Sequence, residues 1–410
     1  MEGVHDLLKN LWPPNMDAII IENLATKKKS LRLAIVTETY PPEVNGVALS
    51  LSRFVEGLSL LNHEIQLVRP RQKDDAQKVA ASDIEEVLTP GLPIPKYPNL
   101  KMGLPAKKRL VGQWTMRRPD LVHIVTEGPL GWSALEAARK LKIPVCSDFR
   151  TNFHSYSQHY GIGWLKRPIV AYLRKFHNKT ALTTVPTENM RRELSSIGFK
   201  NVHVLSRGVN AALYSSEKRS QALRAQWGVS EENFMLVYVG RLAVEKNLDL
   251  LIQSYSALRQ KDARVRLVMV GDGPERTGLE QRFPEAIFAG VRHGDDLAAH
   301  YASADLFVFP SLTETFGNVT LEAMASALPV VAFDYAAAAQ YVTPESGCLA
   351  PMENNAAFVR ACETLHARYW DDRSAYDRMR QKSRQRALRE SWPVVVAHFE
   401  SLLLDVAQRG

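Results

Sequence analysis

Asp305-Leu306-Phe307-Val308-Phe309-Pro310 runs, three residues later, into Glu314-Thr315-Phe316-Gly317-Asn318-Val319-Thr320-Leu321-Glu322. The first run is short and apolar, which reads as a buried parallel strand. Residues 318–327 read as the helix that follows it. Glu314 then lies in the strand-to-helix turn. Glu322 lies one turn into the helix, and helical side chains lean back toward the N-terminus. Both carboxylates are therefore expected to face one small region at the carboxyl end of a strand, where open α/β sheets bind ligands. A helix N-terminus there suits phosphate, and Gly317 lets backbone come close. Two carboxylates repel phosphate but accept hydrogen bonds from hydroxyls. The pattern points to a ligand that carries both phosphate and sugar.

The same strand–helix rhythm extends in both directions. Strand-like runs at 31–37, 64–69, 120–126, 143–148, 181–186 and 202–206 form a first series. Runs at 234–240, 265–271, 286–290, 305–310 and 329–333 form a second. Helical patterns such as 48–61 and 132–141 lie between them. This alternation implies parallel sheets. The expected fold class is α/β, with two facing doubly wound Rossmann-like domains and a ligand cleft between them. The expected divisions are a leader at 1–29, an N-terminal acceptor-binding domain at 30–210 and a C-terminal donor-binding domain at 211–384. Residues 373–410 look helical with a break near Pro393, and the C-terminal helix at 385–410 would pack back toward the first domain.

A chain of 410 residues is long enough for two such domains. No apolar run approaches the roughly 20 residues that span a bilayer. The three cysteines, Cys146, Cys348 and Cys362, are far apart and lack metal spacing, which suggests reduced thiols in a cytoplasmic protein. The net charge of +8 is uneven. Residues 101–118 hold Lys101, Lys107, Lys108, Arg109, Arg117 and Arg118 without an acid, and 164–179 hold Lys166, Arg167, Arg174, Lys175 and Lys179 without one. The second segment interleaves aromatic and aliphatic residues, as a helix at an anionic membrane surface does. An ordinary half-buried helix with a basic edge gives the same pattern. No nucleic-acid motif accompanies the charge.

Chemistry-bearing residues sit at the ends of the predicted strands. Gly240-Arg241 closes one strand, and Lys246-Asn247 precedes a helix. Arg241 can clamp a diphosphate with paired donors, and Lys246 adds a point charge. Asn45-Gly46 precedes another helix, so its amides either meet a phosphate or simply form a turn. Gly271-Asp272-Gly273-Pro274 is no dinucleotide fingerprint, because Arg276 stands where the third glycine belongs. A phosphate-cradling G-x-x-x-x-G-K-[ST] loop is absent, and so is the D-x-D spacing that most simply holds a metal on a diphosphate. No metal site is expected.

Taken together, Asn45-Gly46-Val47, Gly240-Arg241-Leu242 with Lys246-Asn247, Val270 to Pro274, Pro310-Ser311, the E-x7-E pair and Pro329-Val330-Val331 resemble the retaining glycosyltransferases of family 4, which have the GT-B fold. The likeness runs from about residue 31 to the C-terminus. It implies metal-independent, cofactor-free transfer of a sugar from a nucleotide-diphosphate sugar, giving an α-glycoside. By position, Arg241 and Lys246 would hold the diphosphate, Glu322 the ribose, and Glu314 the donor sugar. Gly271 would also belong to the donor site. Phe316, Gly317 and Asn318 would offer backbone amides, and Gly46 would close from the other domain. Arg241, Lys246 and Glu314 are the catalytic candidates.

The chain also departs from the family pattern. Arg150 stands where many relatives have a histidine, and His154 follows one helical turn later. Asn45, Arg150 and His154 are sugar-side or acceptor-side candidates. Ala327 replaces a frequent glycine, and Ala336 to Gln340 replace a loop usually richer in glycine. The N-terminal segments resemble those of bacterial glycolipid synthases and lipid mannosyltransferases. This implies a lipid acceptor, a UDP- or GDP-linked donor and a peripheral place on the inner face of the cell membrane. Lipopolysaccharide or exopolysaccharide assembly is the alternative acceptor class. A sugar-nucleotide epimerase or hydrolase, and a non-catalytic sugar-nucleotide-binding regulator, are the competing functions.

Overall fold

The computed structural model describes residues 30–43, 45–72, 84–94, 97–150 and 166–409. The expected leader and His154 fall outside them. β1 (Arg32–Val36), β2 (Glu64–Pro70) and β3 (Glu85–Thr89) come first. An antiparallel hairpin of β4 (Gly91–Ile94) and β5 (Tyr97–Gly103) follows. Then come β6 (Leu121–Ile124), β7 (Val145–Asp148), β8 (Leu182–Val185) and β9 (Val202–Val204). Seven of these form a parallel sheet in the order β3-β2-β1-β6-β7-β8-β9. A second parallel sheet takes β10 (Phe234–Val239), β11 (Val265–Val270), β12 (Ile287–Gly290), β13 (Leu306–Phe309), β14 (Val330–Phe333) and β15 (Gly347–Ala350). Its order is β12-β11-β10-β13-β14-β15. Both are doubly wound, as expected, and the order reverses between β1 and β6 and between β10 and β13.

The burial explains why the apolar runs are unbroken. Every residue of β10 and of β13 is buried, because helices cover both faces of a parallel sheet. In the first sheet, alternation divides each strand between two cores. Leu33 and Ile35 face one with Leu67 and Phe54, while Ala34 and Val36 face the other with Trp114, Leu135 and Phe176.

The edges were harder to foresee. β3 reads Glu85-Glu86-Val87-Leu88-Thr89 and buries only Thr89, so no apolar run announces it. β15 is the small-residue stretch Gly347-Cys348-Leu349-Ala350. The basic stretch at 101–118 ends the hairpin and then forms the helix Lys107–Met116. This helix buries Leu110 and Trp114, and Trp114 Nε1 donates to Gln66 Oε1 at 2.8 Å. The second basic stretch forms the helix Lys166–His177, which buries Leu173 and Phe176 and exposes Arg174 and Lys175. Among the described residues, no helix is long and apolar enough to cross a membrane.

The chain ends in the helices Arg373–Leu388 and Trp392–Arg409. Pro393 sits in the first turn of the last helix, where no intrahelical amide bond is lost. That helix lies against the helix Gly46–Leu60 of the first half. A Cβ on Gly57 would come within 2.6 Å of Val396, so glycine permits the approach. Phe54 meets Trp392 and Phe399 edge-on, with ring centres 5.4 and 5.0 Å apart. His63 Nδ1 accepts from the Leu31 amide at 3.0 Å, so Nε2 carries the proton and donates to buried Glu400 at 2.9 Å.

Candidate active site

A cavity of about 760 Å³ opens where the carboxyl ends of the two sheets face each other. It lies at both points where strand order reverses, the expected place for a ligand. From the first half it is lined by Glu38 and Thr39 after β1, Asn45 and Gly46, Thr126 after β6, and Arg150 after β7. From the second half come Gly240, Arg241 and Lys246 after β10, and Phe309, Glu314 and Phe316 to Val319 after β13.

The second wall is built from one short motif after each strand. A single 3-10 turn, Val244–Lys246, ends at Asn247, whose φ of 54° turns the chain into the helix Leu248–Lys261. Lys246 is thereby aimed across at Glu314, and the two form an ion pair. Ser311 Oγ donates to Glu314 Oε1 at 2.9 Å, and Tyr335 Oη donates to the Glu314 carbonyl at 2.8 Å. Gly317, at φ 88°, caps the helix Asn318–Ala325, whose first residues Asn318 and Val319 line the cavity beside Glu314. Arg241 is 65% exposed and only loosely tied to Glu245, at 3.4 Å, which leaves its fork free to turn toward a ligand.

Glu322 departs from expectation. It does not line this cavity. It lines a neighbouring cleft of about 570 Å³ with Tyr214, Asn210 and Trp392, and Asn318 lines both spaces. Tyr301 Oη donates to Glu322 Oε2 at 3.0 Å. Burial pushes its carboxyl up to about 7, tempered by hydrogen bonds from Tyr301 and Tyr214. The two glutamates thus stand on either side of one helical turn rather than around a single spot.

On the first wall, Asn45 caps the helix Gly46–Leu60: its side chain accepts from the amides of Val47 and Ala48, at 3.1 and 2.8 Å. Its Nδ2 donates to Thr39 Oγ1 at 2.7 Å. Gly46 opens the helix at the cavity wall. Arg150 also lines the cavity, but its charge is engaged. Nε donates to Asp148 Oδ2 at 2.8 Å, and Nη1 donates to Ser50 Oγ at 2.6 Å. Burial opposes ionisation of Asp148, yet Arg150 and His123 more than offset it and hold the carboxyl well below the usual carboxylate range.

Gly271 does not reach the cavity. It sits at φ 137°, and a Cβ there would fall 1.9 Å from the Gly240 carbonyl, so its role is to let two loops approach. Ala336–Tyr341 is a helix rather than a loop. Its Gln340 accepts from the Glu188 amide at 3.2 Å and so meets the first half of the chain outside the cavity.

Glu38 and Arg207 are among the lining residues that the sequence did not single out. Glu38 accepts from the Leu130 amide at 3.0 Å, and burial pushes its carboxyl up to about 7. Its place directly after β1, next to Thr39, was the available signal. Arg207 follows β9 at the crossing between the sheets, and only the assembled fold brings it to the cavity.

Residues 44–213 match the family model described as Glycosyltransferase Family 4, and residues 233–368 match Glycosyl transferases group 1. The GDP-mannose-dependent alpha-mannosyltransferase of Mycobacterium tuberculosis is 32% identical over 379 residues, which are 91% of this chain and 97% of that one. The alpha-monoglucosyldiacylglycerol synthase of Streptococcus pneumoniae is 27% identical over 315 residues, 74% of this chain and 71% of that one. Among solved structures, the sucrose-phosphate synthase of Thermosynechococcus elongatus aligns with a TM-score of 0.71 at 17% identity, over 93% of this chain and 100% of that one. Anabaena Alr3699/HepE in complex with UDP aligns at 0.72 and 18% identity, over 92% and 100%. These two alignments speak for the architecture, and the sequence matches speak for descent. With its two facing parallel sheets and both halves matched, the chain belongs to the family 4 glycosyltransferases of GT-B fold.

Proposed function

We propose that this glycosyltransferase moves a hexosyl group from a nucleotide-diphosphate sugar to a hydroxyl of a membrane lipid, forming an α-glycoside. The observation that carries the reading is the Lys246–Glu314–Ser311 cluster at a helix N-terminus, with Gly46 on the opposite wall. It offers cations and amides to phosphate beside a fixed carboxylate for sugar hydroxyls. A GDP-linked donor is favoured, because the relatives above 30% identity that align over nine-tenths of this chain are named for GDP-mannose.

In the reaction, the bond between the anomeric carbon and the phosphate oxygen breaks, and its electron pair stays on that oxygen. Lys246, Arg241 and the amides of the Asn318 helix stabilise the charge that develops there. The acceptor oxygen bonds to the anomeric carbon from the leaving-group face and passes its proton to the departing phosphate. Glu314, held by Lys246 and Ser311, positions donor hydroxyls rather than attacking. Glu322, in the adjoining cleft beyond Asn318, takes the hydroxyls of the nucleoside ribose.

The acceptor reading rests on the basic helix Lys166–His177, whose exposed Arg174 and Lys175 suit an anionic membrane surface, and on the glycolipid-forming relatives. A peripheral place on the membrane follows from it. The test is nucleotide release from GDP-mannose and from UDP-glucose, each with liposomes containing diacylglycerol or a glycolipid. GDP release dependent on lipid supports the reading. Release from UDP-glucose alone would favour the second reading, a UDP-linked donor, which the monoglucosyldiacylglycerol synthases support by name. Turnover independent of any acceptor would replace transfer by hydrolysis.

A further inference from the structure

Five cations line the main cavity: Lys101, Arg150, Arg207, Arg241 and Lys246. Four are engaged. Arg241 is tied to Glu245, Lys246 to Glu314, and Arg150 to Asp148 and Ser50. Lys101 Nζ donates to the Arg71 carbonyl at 2.6 Å. Of the five, Arg207 alone makes neither a hydrogen bond nor an ion pair with any of the described residues. Yet it is half-buried. Its guanidinium lies 5.8 Å from the centre of the Phe316 ring. On the other side, a Cβ built on Gly46 would stand 3.5 Å from its Nη1, so only hydrogen separates Arg207 from the start of that helix.

A guanidinium withdrawn from water without a carboxylate is an unfavourable element of the free protein. Burial pushes its pKa down to about 9, with the like charge of Arg150 adding to the effect and Asp148 and Glu314 opposing it. The group remains charged at neutral pH and has its planar fork unspent. It also stands between two helix N-termini, that of Gly46 and that of Asn318, one from each half of the molecule. Each favours an anion. Three independent donors therefore converge on one place, and their common preference is a phosphate rather than a hydroxyl.

We propose that Arg207 binds the sugar-linked phosphate of the donor diphosphate, so that the segment joining the two sheets supplies a leaving-group residue of its own. The inference rests on the nucleotide-diphosphate-sugar reading above. Lys246 meets that phosphate from the second half while paired with Glu314. Arg207 meets it from the first, with no ion pair to any of the described residues. Its binding energy is realised only when phosphate, Gly46 and Phe316 come together. Arg207 thus makes the grip on the leaving group depend on both walls.

A phosphate on the acceptor would have the same chemistry, so the test separates the two sources. Wild type, Arg207→Gln and Arg207→Lys are titrated with GDP, UDP, GMP and UMP by calorimetry, and acceptor KM is measured with phosphorylated and phosphate-free lipids. Arg207→Gln should weaken nucleoside diphosphate binding roughly tenfold or more, as loss of a charge-assisted hydrogen bond does. It should leave monophosphate binding unchanged, and Arg207→Lys should recover part of the loss. The ligand-free melting temperature of Arg207→Gln should hold or rise, because an unpaired buried charge is removed. Undiminished diphosphate affinity in Arg207→Gln would overturn the proposal. A rise confined to the KM of phosphorylated acceptors would move the anion to the acceptor and overturn it equally. Equal loss of mono- and diphosphate binding would mean a structural role and also overturn it. Failure of wild type to bind any of the nucleotides would instead sink the donor reading on which it stands.

Discussion

The two walls of the cavity are built in opposite ways. In the second half, each charge finds its partner within a few residues or across one strand gap: Arg241 meets Glu245, and Lys246 meets Glu314. In the first half, groups are assembled from distant parts of the chain. Glu38 caps the helix that starts at Pro129, Arg150 reaches Ser50, and Arg207 arrives from beyond β9. A wall made of local motifs can lose a side chain and keep its shape. A wall made of long-range contacts uses the same side chains to hold its fold.

Substitutions should expose that difference. The largest effect on stability is expected for Arg150→Leu, which leaves Asp148 buried without its guanidinium partner, beside Thr184 and His123. The loss should be roughly 4 kcal/mol in urea unfolding, because a buried charge has lost its partner. Lys246→Ala should behave in the opposite way. Glu314 keeps its bond from Ser311. The melting temperature should stay near wild type while kcat/KM for the donor falls roughly a hundredfold, about 3 kcal/mol. A stable, inactive Arg150→Leu, or an unfolded Lys246→Ala, would erase the distinction between the walls.

A smaller effect tests one carboxyl from each half. Burial raises both Glu38 and Glu322 to about 7. The unfolded chain ionises its glutamates near about 4.3. Between those values the folded state holds protons that the unfolded state has released. The stabilisation is therefore complete below about pH 4 and is lost as pH rises toward 7. Each carboxyl should contribute on the order of 2 kcal/mol to that slope, after allowance for its partial exposure. Glu322→Gln and Glu38→Gln should each flatten the decline in stability measured from pH 5 to pH 7.5. Unchanged slopes in both variants would remove the burial argument. The smallest effect is Ala327→Gly. Ala327 sits at φ 59°, so glycine there should stabilise the protein by about 1 kcal/mol and raise its melting temperature.

Legibility in the sequence follows the same division. Parallel strands were readable because burial on both faces writes them as apolar runs, as in Phe234–Val239. The left-handed turn at Ala327 was signalled only by the family likeness, in which glycine is frequent there. Lys246, Glu314 and Gly317 were readable because each follows a strand end directly. The edge strand at Glu85–Thr89 was not, because it buries little and carries charge. Neither was Arg207, whose environment consists of Gly46, Arg150 and Phe316, residues distant in sequence. Spacing placed Glu322 correctly on the helix, yet it could not reveal that Tyr214 and Tyr301 would claim its carboxylate.

The return of the last helix sets a timetable for synthesis. Leu51, Phe54, Val55 and Leu58 of the first half are covered by Val395, Val396, Phe399 and Leu403, which are made only after the second sheet. Until then the nascent chain carries an uncapped apolar face on the helix Gly46–Leu60. Domains otherwise tend to fold in order of synthesis, but here the first half must wait for the second to be made. A ribosome stalled anywhere between the two sheets would hold out a sticky intermediate that chaperones would have to cover.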